Sequence, residues 1–404
     1  MTNNEFPKLR PVQIRPSAQR PGHYDLTDPS GIAPGGLSLS PAALSAVMQM
    51  DGRRRRVDIQ AEFMRRHGTL LFSDDLDRMI EQLEKALFLE GPFFEAHMAE
   101  LTRQYRAASC RPLWGDAATE PRRLAVFFDE LFGESSLASS GQAELLGLVA
   151  PHLDYERGRP CYAPAYRGLA RRTRAGRFVL LGTNHFGRGA GVVGTRQDFE
   201  TSFGVVSCDR GFLRRLEDRC GGDLCEHEYD HVREHSIELQ VQILKHLLPG
   251  RSFTIVPFLC PDICGPSGTA PASGRGVDLR IFAEGVRAEL AADPVPTCVI
   301  AAADLSHVGR YFHDDRELDA DTLHAIESSD RLVLDDLLRL DPEGMRERLA
   351  EAGNPTHICS AGCLYVLAQV MKGRAAPRLL GYHQAVTAEL ENCVTCAAIE
   401  FLST

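Results

Sequence analysis

Residues 178–185 read FVLLGTNH, an apolar run that ends in glycine, threonine, asparagine and histidine. An apolar run of this length, closed by polar turn residues, is the pattern of a strand buried on both faces of a sheet. It recurs at 146-LGLVAPH-152, 253-FTIVPFLC-260, 297-TCVIAAADLSH-307 and 393-CVTCAAIEF-401. Helix-like segments lie between these runs: 164-PAYRGLARRTRA-175, which Pro164 is expected to start, 235-HSIELQVQILKHLL-248 and 278-DLRIFAEGVRAELAA-292. The alternation predicts an α/β domain over 144–404, with a mainly parallel central sheet and flanking helices.

Chemistry collects where those strands end. In open α/β sheets, sites form beyond the carboxyl ends of the strands. One strand finishes in Pro151-His152, a second in Asn184-His185, and a third in 304-DLSH-307. A lone histidine is usually a satisfied surface or core residue. Three at strand ends of one domain point to a shared site. Two imidazoles meeting over the sheet can ligate a metal ion, with a third ligand completing the set; these residue types suit iron, copper or zinc better than magnesium.

Two further clusters carry candidates. In 226-EHEYDHVREHSIELQ-240 a helix opens near His235. Glu234 has a sufficient explanation in the helix dipole. His227, His231 and His235 are spaced four apart, but no firm helix precedes His235, so their joint metal site is a weak expectation. His235 facing the pocket as an acid/base or orienting group is the better one. In 354-NPTHICSAGCLYVLAQV-369 a polar turn with His357 and Cys359 precedes an apolar helix. Cys359 near a helix start fits a metal ligand or nucleophile, and equally a buried thiol. In 150-APHLDYERGRPCYAPAY-166, Asp154 is either a partner of a ligand histidine or a turn residue, Tyr155, Glu156 and Arg157 are expected to shape the mouth of the site, and Cys161 to be a packed thiol.

The chain has 404 residues, enough for two or three domains, and a formal net charge of -10, which offers no general basic field for nucleic acid. The run Arg53–Arg56 reads as a solvated helix start. No apolar run approaches the roughly 20 residues of a membrane helix, and the N-terminus lacks a signal peptide's apolar core; no membrane partner and a cytoplasmic location are expected. The twelve cysteines should then remain thiols. Cys393 and Cys396 form a CxxC inside a strand-like segment, so they face opposite ways and read as core thiols.

Residues 1–22, rich in Pro, Arg and Gln, read as an irregular arm. Residues 23–92 form a small α+β unit: two short strands in HYDLTDPSGIAPGGLSLS, a helix at 41–50 with Ser40 as N-cap, a second at 57–66, and a third at 74–89 capped by Ser73, with Leu76, Ile80, Leu83 and Leu87 on one face. Residues 93–143 read as a helical linker, and the main domain boundary is placed in 133-GESSLASSGQ-142. The features DLTDPSG, LS, MDGRRRRVDI and LEKALFLEG make the first unit resemble the PqqD-like winged-helix family, which recognises peptides. A DNA-binding winged helix ranks lower, because Asp74, Asp75, Asp77, Glu81 and Glu84 on the third helix would repel phosphate. A stabilising or dimerising appendage weighs about as much as peptide capture.

In order along the chain, PHLDYERG, CYAPAYRGL, LLGTNHFG, TRQDFETSFGVVSCD, VREHSIELQVQIL, IVPFLC, AAADLSHVG and ICSAGCLYVL resemble the Memo family, also known as AmmeMemoRadiSam system protein B. The resemblance spans about 146–403. It implies a fold like that of the class III extradiol dioxygenases, which are nonheme iron enzymes, and a metal position formed by His152, His185 and Cys359. It places His235, Asp304 and His307 around that position in orienting or proton-moving roles. This resolves Cys359 toward a ligand. Asn184, Ser360 and Cys363 depart from the family's usual residues without removing a ligand. The implied function is a nonheme iron- or copper-dependent redox enzyme, with zinc as a further metal, acting beside a radical SAM enzyme and an AMMECR-type protein. The alternative is a non-catalytic scaffold or metal-handling protein that binds a peptide or partner through its N-terminal unit. Thiolate in place of the usual carboxylate softens the site, so dioxygenase chemistry does not follow from the fold.

Overall fold

Lys8–Leu9 (β1) and Gln13–Pro16 (β2) are strands, where composition predicts an irregular arm over 1–22. Their partners lie further along the chain, which local composition does not register. The computed structural model describes residues 5–114, 120–133 and 143–404. These fall into two compact units, Met1–Ala107 and Ala108–Thr404. The 133–142 segment, where composition places the main boundary, lies outside the described residues from 134 onward.

In the first unit, Tyr24–Thr27 (β3) pairs antiparallel with both β2 and Leu37–Leu39 (β4). Helices Pro41–Val47 (α1), Arg56–His67 (α2) and Ser73–Lys85 (α3) follow. Leu89–Glu90 (β5) returns to pair with β1, and Pro92–Ala107 (α4) ends the unit. Ser40 caps α1 by accepting the Ala43 N–H. Ser73 is instead the first residue of α3, and the N-cap is Phe72, without a side-chain bond. Leu87 falls past the helix at φ 64, while Leu76, Ile80 and Leu83 enter the core with Leu26, Val47 and Ile59. Arg10 fixes the N-terminal segment: it donates to the Leu87 carbonyl at 2.6 Å, pairs with Asp28 at 3.1 Å and lies over the Phe94 ring at 3.9 Å.

The second unit opens with Pro121–Phe132 (α5), whose Phe128, Leu131 and Phe132 join its core. The order continues Leu145–Ala150 (β6), Tyr155–Arg172 (α6), Arg177–Thr183 (β7), Val193–Gly194 (β8), Ser207–Cys208 (β9), Arg210–Cys220 (α7), His235–Leu247 (α8), Thr254–Cys260 (β10), Leu279–Ala292 (α9), Thr297–Ala302 (β11) and Asp304–Gly309 (β12). Helices Ala320–Leu338 (α10), Pro342–Ala352 (α11) and Ala361–Met371 (α12) precede strands Ala375–Val386 (β13) and Asn392–Ser403 (β14). The 9-stranded sheet runs β12-β14-β6-β11-β7-β10-β8, with β13 on β14 and β9 on β10.

This sheet is mixed rather than mainly parallel. β6, β11, β7 and β10 are parallel neighbours, but β14 runs antiparallel to β6, β12 and β13. The 297–307 run is two strands: β11 stops at Ala302, and β12 continues elsewhere in the sheet beside β14. His307 therefore lies within a strand of its own. α6 starts at Tyr155, because the Asp154 carboxylate caps it by accepting the Arg157 N–H; Pro164 lies inside the helix. That settles Asp154 as a turn residue and cap. Cys161 is fully buried, and Cys393 and Cys396 pack into different apolar clusters.

Candidate metal centre

His152 and His185 follow β6 and β7, the two strands that flank β11. The chain turns there because Pro151 and Asn184 end the apolar runs. The His152 Nδ1–H donates to the carbonyl of Ala302, the last residue of β11, at 2.9 Å. The His185 Nδ1–H donates to the Glu234 carboxylate at 3.0 Å, and its backbone N–H to the same group at 2.9 Å. With both Nδ1 atoms occupied, each ring presents Nε2 as the free donor atom, the usual way an outer acceptor fixes a ligand histidine.

Cys359 arrives from the loop before α12. Asn354, in left-handed backbone at φ 46, closes that loop: its side chain accepts the Ile358 N–H at 2.9 Å and donates to the Ile358 carbonyl at 3.0 Å. α12 can seat against the end of β10 because residue 362 is glycine; a Cβ there would stand 2.2 Å from the Pro261 carbonyl oxygen. Cys359 Sγ lies 3.5 Å from His152 Nε2, and one donor atom from each of His152, His185 and Cys359 falls within 4.8 Å of the others. The His152 and His185 rings are 5.0 Å apart and nearly perpendicular.

Around these three, Asp304 accepts the His152 backbone N–H at 2.9 Å and has its other oxygen 3.5 Å from His152 Nε2. The Ser360 hydroxyl accepts the Asp304 N–H at 3.2 Å and meets Thr183 at 3.1 Å. His235 stacks on His185 at 5.1 Å and stands edge-on to His152 at 5.6 Å, with its side chain 41% exposed. His307 is further round: its Nδ1–H donates to the Leu305 carbonyl, and its backbone N–H bonds Thr356 in the loop leading to Cys359. The expected residues therefore assemble in two layers, with His152, His185 and Cys359 converging and His235, Asp304 and His307 around them.

Burial opposes charge throughout, yet the groups polarise one another. Burial pushes the Cys359 thiol up, but the neighbouring His152 and His185 imidazoles outweigh it and hold it well below the usual thiol range. Burial would lower His152, but Asp304 and Cys359 bring it to about 9. For His185 the opposing partners are Cys359 and Glu234, and the result is about 11. His235 goes the other way: burial and the His152 charge push it down to about 4, so it is neutral at pH 7.

His231 does not join the site. It sits in a short 3-10 turn, Glu228–Val232, donates Nε2–H to the Val193 carbonyl at 3.0 Å, and is pushed down to about 3 by burial. The spacing of His227, His231 and His235 is thus not a ligand pattern. Tyr155 is tied down by its hydroxyl, which donates to the Leu239 carbonyl. Glu234 matters more than the helix-dipole argument allows. It caps α8 through the Ser236 N–H, and the same buried carboxylate fixes His185. Its adjacency to His235 was the available signal. Asp230 was also missed: its carboxylate accepts the Arg188 and Gly189 N–H groups and the Asn184 amide, folding the loop after His185.

The fold and this cluster define a mixed α/β protein in which two imidazoles just beyond the sheet strands and a thiol from the loop before α12 are arranged so that they could hold a metal ion. The family model described as Memo-like protein matches residues 117–400, and the chain belongs to that family. A MEMO1 family protein of Aquifex aeolicus is 25% identical over 403 residues, covering 98% of this chain and 99% of its own length. MEMO1 family proteins of Methanocaldococcus jannaschii and Methanopyrus kandleri are each 30% identical, over 62% and 67% of this chain and 81% and 87% of their own lengths. The Aquifex similarity thus runs through the first unit as well. No helix among the described residues is long and apolar enough to cross a membrane.

Proposed function

We propose that the chain binds a redox metal, iron or copper, through His152, His185 and Cys359, and acts as an oxidoreductase at that centre. The observation that carries this reading is the convergence of one ring nitrogen from each of His152 and His185 with the Cys359 Sγ within 4.8 Å. The donor set fits the ion: both imidazoles have their outer nitrogens occupied, and the cysteine is held toward thiolate. Thiolate with imidazole favours copper, iron or zinc over hard oxygen-seeking cations. When bound, iron or copper would supply one-electron chemistry. The protein's own part is to hold the ligand side chains and to offer a proton acceptor beside them. Glu234 and Ala302 hold the two rings, Asp304 places a negative charge beside His152, and His235, neutral and half exposed, is placed to accept a proton.

Metal analysis of the anaerobically purified full chain tests this. Wild type is expected to carry about one iron or copper per chain, and His152→Ala/Cys359→Ala to carry almost none. Equal retention by the double variant removes the assignment. Zinc alone, with no oxygen uptake on any reductant, would favour the metal-handling reading over the enzyme.

The first unit supports a second part of the proposal. Its three-stranded antiparallel sheet and helices are compact by themselves, and its sequence motifs are the ones that resemble the PqqD-like family. It would recruit a peptide or partner enzyme, of the radical SAM or AMMECR type, to the metal-bearing unit. Pull-downs with and without residues 1–107 that return identical partners would take this unit out of the account.

A further inference from the structure

The segment 110-CRPLW-114 precedes the residues that match the family model, and nothing in its composition marks it. Arg111 is nevertheless fully buried. Its backbone is stitched to the strand-like stretch around Phe199: the Arg111 N–H donates to the Asp198 carbonyl at 2.7 Å, and the Glu200 N–H donates to the Arg111 carbonyl at 3.0 Å. Its guanidinium lies 5.1 Å from the Phe199 ring centre and spreads its donors over one short piece of chain. Nε–H reaches the His231 carbonyl at 2.7 Å, Nη2 the Glu234 carbonyl at 3.0 Å, and Nη1 the Glu238 carboxylate and the Pro112 carbonyl. Glu238 also accepts the Trp114 N–H at 2.9 Å, so the segment is held at both ends.

The His231 and Glu238 acceptors bracket Glu234, the residue whose carboxylate fixes His185. His231 and Glu234 lie in the turn that leads into α8, and Glu238 lies one helical turn beyond Glu234. A planar fork with its donors in fixed directions can hold that turn and the first turn of the helix in one geometry. A lysine ammonium, a single point charge on a flexible stem, cannot. We infer that Arg111 is a positioning residue: it sets Glu234, and through Glu234 the orientation of His185. The inference rests on the metal-centre reading only for its consequence on metal affinity.

The test uses the full chain labelled with 15N-histidine and prepared without metal, with Co(II) as the metal probe. Arg111→Met is expected to move the His185 ring resonances while leaving those of His152, which is tied to the Ala302 carbonyl, in place. Co(II) affinity is expected to fall about tenfold or more, the usual consequence of losing an outer partner of a ligand. Arg111→Lys keeps a positive charge opposite Glu238, so it should fold where Arg111→Met does not. It should still show the displaced His185 resonances and the weakened affinity. In a Glu234→Ala background, changing Arg111 should alter neither readout further. Unmoved His185 resonances in a folded Arg111 variant would overturn the inference, as would an equal loss of affinity in both backgrounds. If wild type takes up no Co(II), the metal reading fails by itself, and the His185 resonances still decide the role of Arg111.

Discussion

Asp304 is the residue on which two kinds of argument meet. It accepts the His152 N–H and stands 3.5 Å from His152 Nε2, so it both shapes the turn and charges the cluster. Asp304→Asn keeps a carbonyl acceptor for the N–H and removes the charge. The melting temperature should therefore change by no more than a few degrees in calorimetry, while bound metal in the purified protein falls several-fold; unchanged metal content would leave Asp304 a purely structural residue. His231 allows a pH argument free of the metal. Its folded value of about 3 lies below the ordinary 6.5 because burial disfavours the cation. Above pH 6.5 it is neutral in both states. As the pH falls from 6.5 toward 3, only the unfolded chain takes the proton, so stability is lost across that window. His231→Gln removes the titrating group but retains an N–H donor for Val193. Its urea midpoint should drop less than that of wild type between pH 7 and pH 4, and parallel curves would refute the assignment. At this scale the strand-end histidines His152 and His185 stand out in the sequence because such placement is rare, whereas Cys359 reads equally as a buried thiol and only the family resemblance sets it beside them. The sequence was not legible where a common residue such as Glu234 or Arg111 acquires its role from distant partners.

The parallel core of the sheet was readable because β6, β7 and β10 are unbroken apolar runs ending in turn residues. β14 has the same look, yet it runs antiparallel to its neighbours, since strand direction leaves no mark on composition. The split of 297–307 was hidden for a related reason. Asp304, Ser306 and His307 interrupt the apolar run, and the burial of Asp304 and Ser306 is made acceptable by partners far along the chain. Ser306 donates to Asp330, and Thr395 and Tyr382 donate to that same carboxylate. The packing of α8 on β7 depends on one small residue that sequence reading passed over. A Cβ at Gly182 would stand 2.4 Å from Ser236 Oγ and 2.7 Å from Ile237 Cγ1. Gly182→Ala should therefore push the start of α8 away from the sheet and cost about 1–3 kcal/mol, read as a lower urea midpoint. Gly176→Ala, whose Cβ would meet only Val295 at 3.6 Å, is the control expected to stay near wild type. Equal behaviour of the two would mean that the sheet–helix contact gives way without strain.

At the scale of the whole chain, the family match begins at residue 117, whereas the second compact unit begins at Ala108. The difference is the segment that carries Arg111, and it makes the two boundaries experimentally distinct. Residues 108–404 retain the Arg111–Glu238 pair, whose side chains are 0% and 5% exposed. Residues 117–404 would leave Glu238 as a buried carboxylate without its cation, and would also leave the His231 and Glu234 carbonyls without the guanidinium donors. Removing one partner of a buried ion pair typically costs about 3–5 kcal/mol, because the remaining charge is desolvated and uncompensated. The longer piece should therefore fold and keep the metal content of the full chain. The shorter piece should lose about that much unfolding free energy in urea, or protonate Glu238 and recover part of it at acid pH. Indistinguishable unfolding curves for the two pieces would show that the family-matched region is self-sufficient and that the 108–116 segment contributes nothing to its stability.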